Sequence, residues 1–232
     1  VDAPVRLIVY TAIFGEGRDE LQPAPPASPG VEYHAYGDFL KPVDGWKIHP
    51  LKPARDPRRA ARTIKILGPL YGDSPPAEWT LWLDGSLALL QSPVTIVQDF
   101  ARPDFRLAVF KHGERDCVYQ EASACCRLRK DDRRVILDQT ARYRAEWYPE
   151  HRGLAETGML LRRRSPETEE HADLWWSEVW RGSVRDQLSF DYACWKLGLT
   201  YDCFPGRVRW NECPYVRFVE HKDKTLLSRE NR

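Results

Sequence analysis

Arg6-Leu-Ile-Val-Tyr-Thr-Ala-Ile-Phe14 is a nearly unbroken apolar run rich in β-branched and aromatic residues. Such a run reads as a strand buried on both faces, the mark of a central strand in an α/β sheet. It stops at Gly15-Glu-Gly17, a turn at the strand's carboxyl end. Outward from it, Gln22 to Gly30 holds four prolines in nine residues and reads as a surface loop. Val31 to Tyr36 follows as a second strand ending at Gly37-Asp38. Glu78 to Leu83 makes a third, stopped by Asp84-Gly85-Ser86; Phe105 to Phe110 makes a fourth, and Thr157 to Arg163 another. Asp56-Pro57, Ser92-Pro93 and Ser165-Pro166 each place a capping side chain before a proline at the first helical position. Further helices are expected over Glu114–Leu128, Arg134–Trp147 and Asp186–Leu197. Strands alternating with helices indicate an α/β sandwich with a mostly parallel central sheet, and no linker divides the chain.

The 232 residues are 42% hydrophobic and 30% charged, which suits one compact domain and excludes a disordered tail or a fibre. A net charge of +1 gives no reason to expect nucleic acid as a partner. No apolar run approaches the ~20 residues of a membrane span, and no signal peptide opens the chain. The start at Val1 suits a processed product or a domain cut from a longer protein. Six cysteines without a Cys-x-x-Cys pair read as reduced thiols of a cytoplasmic protein, with Cys125 and Cys126 as small core residues of a helix.

Ligands of open α/β sheets collect at the carboxyl ends of the strands. Three polar groups fall there: Thr11 to Gly17, Asp38, and Asp84-Gly85-Ser86. Asp84 ends an otherwise apolar strand and suits a divalent cation bridging a diphosphate; as an Asp-Gly pair it also suits a plain turn. His112 begins a segment just past a strand, where Arg115 and Tyr119 share a helix face and Glu121 lies off it. Asp186 and Gln187 open a helix, either as a cap and dipole partner or facing a substrate; spacing alone favours the cap. Arg58, Arg59, Arg62 and Lys65 form a basic cluster, of which Arg62 and Lys65 share one helix face suited to phosphates. Trp175, Trp176 and Trp180 lie on one helix, and aromatic faces suit sugar stacking.

Several of these pieces stand together in one family's order. Val9-Tyr-Thr-Ala-Ile-Phe-Gly15, Gly37-Asp38, Gly45-Trp46, Lys65-Ile-Leu67, Trp82-Leu-Asp-Gly-Ser86, His112 through Arg115 to Cys-Val-Tyr-Gln-Glu-Ala122, Gly153-Leu154 with Glu156, and Leu174-Trp-Trp-Ser-Glu178 before Arg185-Asp-Gln-Leu-Ser-Phe190 make the chain resemble the TOD/MUCI glycosyltransferase-like domain family. The resemblance implies a GT-A-like, Rossmann-type α/β/α sandwich, with a nucleotide-binding half over about 1–110 and an acceptor half over about 111–232. It implies a nucleotide-sugar donor and a glycan or polysaccharide acceptor, in bacterial surface polysaccharide synthesis, the membrane being met through acceptor or partner. Thr11, Ala12, Phe14, Gly15 and Asp38 would hold base and ribose. Arg62, Lys65, Asp84, Gly85 and Ser86 would meet the diphosphate. Mn²⁺ or Mg²⁺ would sit on Asp84, with His221 completing its site; Ser86 departs from the family's Asp-x-Asp pattern, which leaves one aspartate. Asp186 and Gln187, with His112 and Glu121, would be catalytic, Asp186 serving as base in an inverting reaction or steadying the sugar cation in a retaining one. Arg115, Trp175 and Trp176 would meet the acceptor. A non-catalytic glycan- or nucleotide-binding module is the alternative reading, and an amide-lipid hydrolase ranks last because neither a Gly-x-Ser-x-Gly elbow nor a zinc-ligand cluster is present.

Overall fold

The computed structural model describes residues 6–15, 21–71 and 77–219. Nine strands are present among them: β1 Leu7–Ile13, β2 Val31–Gly37, β3 Lys47–Pro50, β4 Trp79–Leu83, β5 Leu87–Leu89, β6 Leu107–Lys111, β7 Ala155–Arg163, β8 Asp202–Cys203 and β9 Val216–Phe218. The helices are α1 Pro57–Tyr71, α2 Pro93–Phe100, α3 Val118–Arg127, α4 Arg133–Ala145, α5 Pro166–Arg181 and α6 Gln187–Leu197. Seven strands form one sheet in the order β3-β2-β1-β4-β7-β6-β8, and β5 pairs with β9 beside it. Within the seven-stranded sheet the pairings are parallel except where β7 enters, antiparallel to both β4 and β6. β1 is central, as its continuous apolar run requires. Leu7 and Val9 pack on one face with Ile96 and Val97 of α2; Ile8 and Tyr10 pack on the other with α1, α5 and α6.

Proline marks three helix starts. Ser92 caps α2 through the Val94 amide, and Ser165 forms a capping box with Thr168 at α5. The expected helix over Glu114–Leu128 begins later, at Val118, because His112 Nδ1 accepts the Glu114 and Arg115 amides and folds that segment into a turn. Arg115 therefore does not share a helix face with Tyr119. Strands β3, β5, β8 and β9 are only two to four residues long and form because a sheet edge or loop offers a partner.

One proline lies inside a helix. Pro69 has no N–H, so the Lys65 carbonyl loses its intrahelical donor. The Tyr10 hydroxyl donates to that carbonyl at 2.6 Å and Arg162 Nη2 at 2.9 Å, while Arg162 Nη1 reaches the Ile66 carbonyl at 2.8 Å. Arg162 is buried, and its hydrogen-bond partners are these carbonyls and the Tyr10 phenol. The missing amide is thus converted into a tie between α1, β1 and β7. Arg162→Met should cost about 2–4 kcal/mol through the acceptors it strands. Pro69→Ala in that background should recover part of the loss by restoring an amide donor. Urea denaturation of both variants measures this, and unchanged stability in Arg162→Met would refute the tie.

Candidate functional site

At the carboxyl end of β1, Gly15 adopts φ +89° and its N–H donates to Asp38 Oδ1 at 2.9 Å. The approach is tight: a Cβ on Gly37 would lie 2.0 Å from the Ile13 carbonyl oxygen. Only glycine lets β2 finish against β1 and place Asp38 there. Thr11, Ala12 and Phe14, expected to hold base and ribose, have buried side chains. That strand end offers its backbone and Asp38 instead.

One strand further along, Asp84 opens a turn closed by the Leu87 amide on the Asp84 carbonyl at 2.9 Å, with Gly85 and Ser86 at its tip. Its carboxylate is held rather than loose. Trp82 Nε1 donates to Oδ1 at 2.8 Å, and Lys65 Nζ stands 3.8 Å from the same oxygen. The other oxygen, Oδ2, lies 3.4 Å from where a Cβ on Gly158 would stand, so the absent side chain keeps space open beside it.

Lys65 is the least expected member. The sequence pairs it with Arg62 on a helix face suited to phosphates, yet it is 1% exposed. Its ammonium contacts Asp186 Oδ2 at 2.6 Å and donates to Thr157 Oγ1 at 2.9 Å, between the rings of Trp82 and Trp175 at 5.6 and 6.0 Å. The Thr157 hydroxyl donates in turn to Asp186 Oδ2 at 3.0 Å, and Arg62 Nε stands 3.0 Å from Oδ1. Trp175 Nε1 donates to the Asp186 carbonyl at 2.9 Å. Burial alone would raise the Asp186 carboxyl; the charges of Arg62 and Lys65 outweigh it and hold the group well below the usual carboxylate range. Burial presses the Lys65 ammonium down, against the pull of Asp186 and Asp84.

Asp186 precedes the first residue of α6, where spacing suggests a cap, but its side chain makes no capping hydrogen bond. The carboxylate is turned inward to the two cations instead. Gln187 is fixed between Arg185 Nη2 on its carbonyl, at 2.9 Å, and the Ala155 carbonyl on its amide, at 3.1 Å.

The sequence profile of the TOD1/MUCI70 glycosyltransferase-like domain matches residues 34–221. The chain belongs to that family. The probable hexosyltransferase MUCI70 of Arabidopsis thaliana is 30% identical over 186 residues, covering 72% of this chain and 32% of the plant protein. The chain therefore spans about a third of that relative's length. Among solved structures, a glycosyltransferase involved in glycosylation of the major capsid of PBCV-1 is 14% identical, covering 68% of this chain and 65% of that one, with a TM-score of 0.41. Mouse xyloside xylosyltransferase 1 is 9% identical, covering 86% and 84%, with a TM-score of 0.48.

In this family member the structure brings Arg62, Lys65, Asp84 and Asp186 into one cluster, with Gln187 next in the chain. A second group forms past β6: Arg115 Nε donates to the buried Glu121 carboxylate at 2.6 Å, and its guanidinium reaches His112 Nε2 at 3.0 Å. Burial, then Arg115, lowers the His112 pKa, and two backbone amides occupy its Nδ1. His112 is thereby a turn-former rather than a free base. Trp175 is wholly buried and cannot stack on an acceptor. Trp176 is half-buried beside the exposed Trp180, 5.9 Å away, where Arg59 also packs. His221 lies outside the described residues. Thr157, Gly158 and Trp82 are site residues that the sequence reading did not single out. Trp82, two residues before Asp84 in the strand, carried a usable signal; Thr157 and Gly158 carried none.

Because the folded Asp186 carboxyl sits below its unfolded value, its contribution to stability is complete above the ordinary carboxylate range. It is lost as pH falls through and below that range. Asp186→Asn should therefore show a shallower loss of stability than the native protein between about pH 5 and about pH 2. Lys65→Met, which leaves a buried carboxylate short of its nearest cation, should cost about 3–5 kcal/mol. Chemical denaturation across pH tests both, and parallel profiles for Asp186→Asn and native protein would rule out the buried pair as described.

Proposed function

We propose that this domain transfers a hexose from a nucleotide-sugar donor to a hydroxyl of a glycan or polysaccharide acceptor, in the assembly of a surface polysaccharide. The observation that carries the reading is the Lys65–Asp186–Arg62 cluster beside Asp84 at the carboxyl end of β4, in a domain of a glycosyltransferase-like family. The name of the plant relative, a probable hexosyltransferase, supports the choice of sugar.

The chemistry follows from charge. A leaving nucleoside diphosphate gathers negative charge as the glycosidic bond breaks, and the site must offset it. Arg62 is about a fifth exposed, with its Nε turned to Asp186, and its terminal N–H groups suit a phosphate. Asp84 fits a hard divalent cation, Mn²⁺ or Mg²⁺, because one oxygen is anchored by Trp82 and the other borders the open space above Gly158. When bound, such a cation shares the diphosphate's charge. Among the described residues no group of three His, Cys, Asp or Glu side chains could hold a metal. The diphosphate oxygens would therefore supply most of the ligands, so cation and donor bind together. Asp186, buried and paired with two cations, serves as an electrostatic anchor for Lys65 and Arg62 rather than as a proton acceptor. Gln187, held by Arg185 and the Ala155 carbonyl, braces the entry to α6 beside that anchor.

A thermal-shift panel of UDP, GDP and CMP with their sugars, each with Mn²⁺ or EDTA, tests this. A ligand at 100 times its dissociation constant adds about 2.7 kcal/mol of stability. One nucleotide diphosphate should raise the melting temperature, Mn²⁺ alone should not, and EDTA or Asp84→Asn should weaken the shift. Nucleotide binding without sugar transfer would favour a non-catalytic module. No shift with any nucleotide and no transfer would overturn the proposal.

A further inference from the structure

We infer that Glu156 on β7 is the group that takes the proton from the acceptor hydroxyl, an inference that rests on the sugar-transfer reading above. The argument begins with register. The Asp84 N–H donates to the Gly158 carbonyl at 2.8 Å, so Asp84 and Gly158 stand opposite each other. Burial alternates along Ala155, Glu156, Thr157, Gly158 and Met159, with Glu156 and Gly158 on the more open side and Thr157 turned inward to Lys65. Glu156 is thus on the same side as Gly158, two residues or roughly 7 Å along the strand. On its other edge Glu156 pairs with Phe110, and the His112 amide bonds the Leu154 carbonyl at 2.8 Å. Along β7, Glu156 therefore stands between Gly158, which borders the Asp84 carboxylate where the donor diphosphate would sit, and Leu154, whose carbonyl holds the His112 amide. The strand is irregular at this point. Val109 pairs with Leu160 and Phe110 with Glu156, which leaves residues 157–159 of β7 unmatched on that edge. Irregularities of this kind re-aim side chains beside active sites.

Elimination points the same way. Around these strand ends, Asp186 is buried against Lys65 and Arg62, and Glu121 is buried against Arg115. Asp191 is buried and accepts the Ala155 amide and the Tyr201 hydroxyl. Asp84 is tied to Trp82 and Lys65. Glu156 is 18% exposed, and its ion-pair partner is Arg209, itself 69% exposed, at 3.3 Å. A pair whose cation stands in solvent is weak and easily exchanged, so a hydroxyl can replace Arg209 at the carboxylate.

In the step, a Glu156 oxygen accepts the proton of the acceptor hydroxyl while the acceptor oxygen's electron pair forms the new bond to the anomeric carbon. The bond from that carbon to the diphosphate oxygen breaks, its electrons leave with the nucleotide, and Glu156 later returns its proton to water. Attack opposite the leaving group inverts the anomeric centre.

The test is Glu156→Gln, with Glu156→Asp beside it, using the nucleotide sugar selected by the thermal-shift panel. Glu156→Gln should keep donor affinity within about twofold and lower kcat by at least ~100-fold, the scale of a lost general base. Glu156→Asp should restore part of kcat, and the native product should carry the inverted anomeric configuration by NMR. Native kcat in Glu156→Gln, loss of donor binding in it, or a product with retained configuration would each overturn the inference. Absence of both nucleotide binding and transfer in the native protein would remove the sugar-transfer reading itself, a result read without any variant.

Discussion

A buried ion pair, Lys65 with Asp186, imposes the strictest condition on this structure. Each ion loses several kcal/mol of hydration on leaving water, and attraction repays that only when the remaining hydrogen-bonding capacity is met nearby. Here Thr157 bridges the two groups, Arg62 adds a second positive charge, and two indoles flank the ammonium. These residues come from α1, β4, β7 and α5, and Asp186 from the entry to α6. The pair therefore couples elements far apart in the chain, and an error in any of their positions would strand a charge.

The sheet makes such coupling possible. β7 runs antiparallel between β4 and β6, so a strand from the second half of the chain lies beside one from the first. Asp84 and Gly158 meet because of this insertion. Helix α1 is held at the right height by the interrupted hydrogen bond at Pro69, whose freed carbonyl is taken by Tyr10 and Arg162. Arg162 and Thr157 both belong to β7, so the strand that supplies the bridging hydroxyl also anchors the helix that supplies the ammonium.

The same condition sorts the carboxylates by role. A group held ionised by two adjacent cations is a poor proton acceptor but a firm electrostatic anchor. Proton transfer is better served by a carboxylate with a weak, exposed partner. Asp186 and Glu156 represent these two environments on neighbouring elements, and the difference between them comes from packing rather than residue type.

Much of the framework was legible along the chain. The apolar run at residues 6–14, the proline-marked helix starts and the strand ends at Asp38 and Asp84 depend on local chemistry: side-chain burial on both faces, capping and turn preference. The local code also brought Arg62 and Lys65 onto one helix face. It misassigned what depends on distant partners. Lys65 read as one of a phosphate-facing pair, Asp186 by its spacing as a cap and Trp175 as an acceptor contact, because nothing in their own segments shows which distant elements close over them. Thr157, Gly158 and Glu156 gave little local signal, since their roles arise from the register of β7 against β4 and β6. The sequence by itself determined the long strands and the helices and their order, because periodicity and capping act within a few residues. Only the tertiary structure decided which charges are buried together, because that depends on which strands become neighbours.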